Sequence, residues 1–142
     1  MFLFAAVTTK RPNYAQGQVN MKEVCLKCHT QPKVDEFYRE AESVVQSTNA
    51  LVAEADAIMK GLQAEGLLTP EPFDEPIDYE YFDLWHYYGR TAKHGAFMGG
   101  ADFVQWHGFY ELVHKLSAIR HDAAELRAKR ADKAAKGAPE TK

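Results

Sequence analysis

Cysteine, long apolar runs and net charge are all scarce in this chain, and each shortage narrows what it can be. There are two cysteines in 142 residues, so a zinc site built on four cysteines has no second pair to complete it. No apolar run approaches the roughly 20 residues that a membrane-spanning helix needs. The net charge is -3, which gives a nucleic-acid role no overall electrostatic support. Glycine-rich phosphate loops and internal repeats are missing as well. What remains is ordinary for a soluble globular protein, with 46% hydrophobic and 26% charged residues. A chain of this length is one domain by default.

The two cysteines fall in one five-residue string, Cys25-Leu26-Lys27-Cys28-His29. C-x-x-C-H is the attachment signature of a c-type haem. Each thiol can add to one vinyl group, and the adjacent histidine then sits under the iron as an axial ligand. Other chemistries use part of this pattern. A redox dithiol would need a thioredoxin-like strand–helix–strand setting, and no such pattern is visible. Half a zinc site would need two further ligands, but His86, His94, His107, His114 and His121 never fall three to five apart. Haem c is the reading that uses all three side chains.

The N-terminal stretch Met1–Val7 is apolar but short, without a basic leader or a clear small-residue cleavage site. Covalent haem attachment is an extracytoplasmic event, so a periplasmic or other extracytoplasmic location is expected. Either export information is missing, or the chain is the end of a longer polypeptide, and the second reading is favoured. A haem site this near the start leaves little upstream chain to cover the haem.

The expected fold is mainly α, a haem-attachment loop followed by a three-helix, bundle-like region. Residues 1–33 read as loop with a helical turn at the cysteines, residues 34–135 as the helical domain, and residues 136–142 as a flexible tail. Helices are expected over about 34–65, 79–97 and 101–133. In the first, Phe37, Val44, Leu51 and Ile58 recur every seven residues, with Ala41, Thr48, Ala55 and Leu62 as a companion row. Gly66 is its expected stop. Pro70, Pro72 and Pro76 then break regular structure, and the stretch from Glu71 to Asp83 holds six acidic residues and no basic ones. That stretch is either a solvated connector or a docking surface for a positive partner. The second helix is rich in aromatics, including Tyr81, Phe82, Trp85, Tyr88 and Phe97, which can form a core face or wall a porphyrin. Gly99-Gly100 ends it. The third carries an apolar stripe of Phe109, Leu112, Val113, Leu116, Ala123 and Leu126. The basic stretch from Arg127 to Lys142 either solvates a tail or complements a helix C-terminus.

His107, His114 and His121 are spaced seven apart, which puts neighbours roughly 10 Å apart along a helix, too far to share one metal ion. His86 and His94 are about 12 Å apart on the same basis. Glu111-x-x-His114 and its aspartate cousin Asp83-x-x-His86 echo di-iron carboxylate bundles, which need two such glutamate motifs and a fourth helix.

The stretch from Tyr81 to Glu111, with its W-H-x-x-G-R…H-G-A and W-H-G-F-Y-E strings, resembles the C-terminal region of the hydroxylamine oxidoreductase family of octahaem c-type cytochromes. Val24 to Val34 resembles that family's last haem site, and Gly66 to Phe73 fits its linker. The resemblance covers about residues 10–120. It implies that Cys25 and Cys28 hold haem c with His29 as axial ligand, and that His94 and His107 face other haems. It implies a longer polypeptide carrying the remaining haems, the catalytic one among them, a homo-trimer and a redox partner cytochrome. Oxidising members place a crosslinking tyrosine in the segment corresponding to Gly100-Ala-Asp-Phe103. Phe103 stands there in this chain, which implies the reductive, non-crosslinked type. A different reading is a self-contained monohaem electron carrier with Met98 as distal ligand.

Overall fold

A computed structural model describes residues 12–137, and among these residues there are helices and no strand. The mainly α architecture expected from the sequence is what the chain adopts. Helix α1 spans Tyr14–Cys25 and α2 spans Gln31–Ala64. Helix α3 (Pro76–Phe82), a π-helical segment π1 (Asp83–Tyr88) and α4 (Gly89–Phe97) run on without a break as a third rod. A fourth rod joins α5 (Ala101–Val104), π2 (Gln105–Phe109) and α6 (Tyr110–Gly137).

Local chemistry sets the ends of these rods. Thr30 precedes α2 in an extended conformation and a proline sits in the first turn; Glu75 and Pro76 repeat the arrangement before α3. Helix α2 ends where expected. Gly66 takes φ 66°, and Leu67 N–H reaches back to the Leu62 carbonyl at 2.9 Å, a Schellman closure. The Gly99-Gly100 turn closes the third rod similarly, with Gly99 at φ 68° and Gly100 N–H on the Gly95 carbonyl.

Several boundaries differ from those read in the sequence. Residues 14–25, expected as loop, form α1. This helix buries no side chain, so it shows no apolar period to read, yet it is rich in good helix formers. The third rod begins at Pro76, three residues early, because the proline opens the helix that it was expected to break. The fourth runs to Gly137, so Lys136 is helical. Residues 138–142 of the expected tail and the apolar N-terminal stretch lie outside the described residues.

The core joins α2, the third rod and α6. Val52, Ala55, Met59 and Leu62 meet Ile77, Tyr81 and Leu84 on one side and Leu112, Leu116, Ile119 and Ala123 on the other. The companion row of α2, with Ala41, Thr48, Ala55 and Leu62, is the buried one, while Phe37, Val44, Leu51 and Ile58 are half-buried along its edge. Tyr81 is the largest fully buried side chain. Its hydroxyl donates to Asp56 Oδ1 at 3.1 Å, and burial, reinforced by that carboxylate, pushes its ionisation well above the usual phenol range. Val113, expected in the stripe of the last helix, faces solvent instead, and Ile119 takes a place in the core.

Leu112, Leu116, Ile119 and Ala123 recur every three or four residues of regular α6, and that spacing leaves Val113 outside. The third and fourth rods each carry a π segment. Gly89 N–H bonds the Leu84 carbonyl and Tyr110 N–H bonds the Gln105 carbonyl, each five residues back. Each segment inserts a residue into its rod and rotates the residues beyond it relative to an ideal α period. Each also carries a Trp-His pair, Trp85-His86 and Trp106-His107. At π2 the fourth rod lies flat on α4. A Cβ on Gly108 would stand 2.8 Å from both Cα and Cβ of Ala92.

The acidic connector is largely folded back on the protein. Thr69 donates to Asp74 through Oγ1 and to Glu75 through N–H, Phe73 N–H donates to Asp78, and Lys115 bridges Glu80 and Asp83 at 2.9 and 3.2 Å. Asp78 is buried, and that burial raises its carboxyl above the ordinary range. Basic residues of α6 serve the end of α2. Arg127 grips the Glu65 carboxylate through two nitrogens, holding it below its usual range, and Arg130 donates to the Glu65 main-chain carbonyl. The C-terminal charge thus complements the C-terminus of a neighbouring helix rather than its own.

The Gly108–Ala92 contact leaves no space for a methyl group. Gly108→Ala is expected to destabilise the chain by about 1–3 kcal/mol, as overpacking does. Urea unfolding monitored by circular dichroism measures this; an unchanged midpoint would show that the two rods can move apart freely.

Candidate functional site

The Cys25–His29 string turns the corner between α1 and α2. Cys25 is the last residue of α1, and the turn tightens beyond it. Lys27 N–H bonds Val24 O, and Cys28 N–H and His29 N–H both return to Cys25 O at 3.1 and 2.9 Å. One carbonyl therefore serves two N–H groups, and the five residues form a single compact turn. Both thiols are free; Cys25 is half-buried, and Cys28 and His29 are exposed.

Polar struts hold α1 beside α2. Tyr14 donates to Glu42 Oε1 at 2.9 Å, Gln18 donates to the same oxygen at 3.1 Å, and Lys22 bonds Asp35 at 2.8 Å while lying over the Tyr38 ring. Burial, with the Glu42 contact adding to it, pushes the Tyr14 hydroxyl up to about 12. No apolar side chain of α1 is buried. Val19, Met21, Val24 and Leu26 are left exposed around the turn.

A cavity of about 910 Å³ opens between α1, α2 and α4, within the range of small-molecule and cofactor sites. Cys25 stands in its wall. Met21, Phe37, Tyr38, Val45 and Phe97 make it apolar, and Arg90, Lys93 and His94 from α4 bring positive or protonatable groups. Lys93 is only 8% exposed; its Nζ donates to Asn49 Oδ1 at 3.3 Å, and burial pulls its pKa below the usual ammonium value.

The histidines distribute unevenly. His29 is at the turn, and His94 lies on the cavity wall with its side chain largely exposed. His107 is exposed in π2, its ring 5.2 Å from that of Phe103, and like Cys28 and His29 it does not line the cavity. His86 stacks on Phe82 with 4.6 Å between centroids, inside an aromatic cluster with Trp85 and Phe73. His114 lines a separate surface hollow of about 450 Å³ with Phe109, Tyr110 and Val113. Among the described residues no three His, Cys, Asp or Glu side chains converge into a metal-binding group, so Glu111-x-x-His114 and Asp83-x-x-His86 build no di-iron cluster there. Met98 projects from the hairpin tip, 81% exposed, and does not line the cavity. Of the aromatic third rod, Tyr81 belongs to the core and Phe97 lines the cavity.

The donor chemistry fits a covalently held haem. Two free thiols and an imidazole share one turn, and uncovered apolar side chains surround it. Sequence reasoning missed the α4 cations. The signal for Arg90 and Lys93 was the string Arg90-x-x-Lys93-His94, whose spacing puts them on one face of α4 with the histidine already singled out.

Access differs between the thiols. In the haem-free, reduced chain, iodoacetamide is expected to modify exposed Cys28 faster than Cys25. A mass-spectrometric time course reads this, and faster loss of Cys25 would contradict the placement of that thiol in the cavity wall.

No protein-family model matches the chain, and no curated protein sequence matches it. Its fold is shared with solved structures. A chain of the reducing HAO-like protein complex of Kuenenia stuttgartiensis superimposes with a TM-score of 0.82 at 18% identity, over 96% of this chain and 38% of that one. A protein described as a hypothetical multiheme protein superimposes with a TM-score of 0.75 at 20% identity, over 87% of this chain and 25% of that one. The chain thus spans well under half the length of either, and what it shares with them at these identities is the fold.

Proposed function

We propose that this chain is the haem-bearing C-terminal part of a multihaem c-type cytochrome of hydroxylamine oxidoreductase-like kind, working in electron transfer during nitrogen-compound redox chemistry. The observation that carries this reading is the single turn at residues 25–29. It presents two free thiols and an imidazole on an apolar surface, within a fold that two multihaem proteins share. Cys25 and Cys28 would form the thioether links and His29 would be an axial ligand of haem c. Bound there, the haem iron supplies a one-electron couple. The protein's part is to set its potential by ligation, burial and hydrogen bonding.

Chain coverage supports the idea of a longer polypeptide, since the structural neighbours extend well beyond the matched region. A homo-trimer, a redox partner cytochrome and an extracytoplasmic location belong to the same reading. His94 and His107 are its candidates for residues facing further haems. The reductive type is supported by Phe103, which has no phenol oxygen for a crosslink, and by the likeness to a complex described as reducing. Met98 as a distal ligand, the monohaem alternative, draws no support from a side chain that points to solvent at the hairpin tip.

The test is expression of the chain with an export signal and haem-maturation machinery, then intact mass measurement. The expected product is the polypeptide plus one haem, lost in a Cys25→Ala, Cys28→Ala variant. A mass equal to the bare polypeptide would overturn the proposal. A sulfur–iron charge-transfer band that disappears in Met98→Ala would favour the monohaem carrier instead.

A further inference from the structure

We infer that α1 is a latch: Tyr14 and Gln18, closed on Glu42, keep the Cys25 thiol in the cavity wall, and their release swings α1 about the Cys25–His29 turn and brings that thiol out beside Cys28 and His29. The inference rests on the haem-attachment reading above for the latch's purpose, and it adds the residues that position one of the two thiols.

The three groups of the attachment signature do not share one space. Cys25 lines the cavity between α1, α2 and α4, whereas Cys28 and His29 are exposed and line no part of it. A single ring bonded to both sulfurs, with the imidazole on its iron, needs all three groups on one side. Cys28 and His29 are already open to the outside, so Cys25 is the group that has to move. Tyr38 of α2 stands near it: burial raises the Tyr38 phenol above its usual range, and the Cys25 sulfur adds to that.

The build of α1 lets it move as a unit. It buries no side chain. Residues 26–33, which join it to Val34, the first buried residue of α2, are all exposed, so a change of backbone angle there displaces no core side chain. Polar contacts hold α1 to α2. Tyr14 and Gln18 both donate to Glu42 Oε1, at 2.9 and 3.1 Å, and Lys22 reaches Asp35 at 2.8 Å. A segment with few buried apolar contacts opens at low free-energy cost, because water can replace its polar partners.

The experiment uses the full chain, reduced and haem-free, with its Tyr14→Phe, Gln18→Ala and double variants. Neither substitution changes a charge, and the two positions stand about 16 and 10 Å from Cys25 along the helix axis, so neither touches the thiol. Iodoacetamide labelling with peptide mass analysis reads each thiol separately, and amide hydrogen exchange reads each helix. Cys25 is expected to react about two- to tenfold faster in each single variant, the range that loss of one hydrogen bond gives, and faster again in the double variant. Exchange across residues 14–25 is expected to quicken with it. The Cys28 rate and exchange across residues 52–62 of α2 are expected to stay at their wild-type values, which a general loosening of the chain would not allow. An unchanged Cys25 rate in the double variant, or a rise matched by faster exchange across residues 52–62, would overturn this inference and leave the attachment reading standing. A wild-type chain that takes up no covalent haem from the maturation machinery would overturn both.

Discussion

The close approach of Gly108 to Ala92 is the contact on which the arrangement of this molecule turns. With no side chain between them, the fourth rod rests directly on the backbone of α4. Gly95 repeats the condition one turn on, where a Cβ would stand 2.9 Å from the Phe103 ring. Helix α4 is thereby fixed between the fourth rod and α2. Its remaining face, with Arg90, Lys93, His94 and Phe97, is turned toward α1. The chemistry of the cavity thus depends on a contact made on the other side of the same helix.

Helix α1 is attached by a different kind of force. Hydrogen bonds and an ion pair hold it at a distance from α2, and no apolar side chain of it is buried. The exposed Lys22–Asp35 ion pair among them contributes little stability. The Cys25–His29 turn is therefore carried on a helix that buries no side chain, next to apolar side chains that stay exposed among the described residues. A tethered apolar group and further polypeptide would both relieve that exposure. The longer chains that share this fold are consistent with the second.

Much of this was legible in the sequence. Cys25, Cys28 and His29 stood out by spacing and do share one turn, and Gly66 and Gly99-Gly100 marked turns that do require positive φ. The long α2 announced itself by its repeat, although the buried row was the companion one. What was hidden had physical causes. Helix α1 buries nothing, and apolar periodicity is a signal of burial. The buried face of α6 runs through Leu112, Leu116, Ile119 and Ala123 at ordinary α spacing, but Val113 beside Leu112 was placed inside and Ile119 overlooked. Pro76 opened a helix instead of ending one. The cavity is a property of three helices at once, and Lys93 became notable only once α1 and α2 were seen to close around it. The acidic connector looked like a free charged surface because its partners, Thr69 and Lys115, act through the folded chain.

The central claim is that these residues form one station of a longer electron-transfer polypeptide. The most direct measurement is the mass and haem stoichiometry of the native protein, recovered from its source with an antibody raised against this chain. The account predicts a polypeptide several times longer carrying several covalent haems. A native product of 142 residues with a single haem would contradict it.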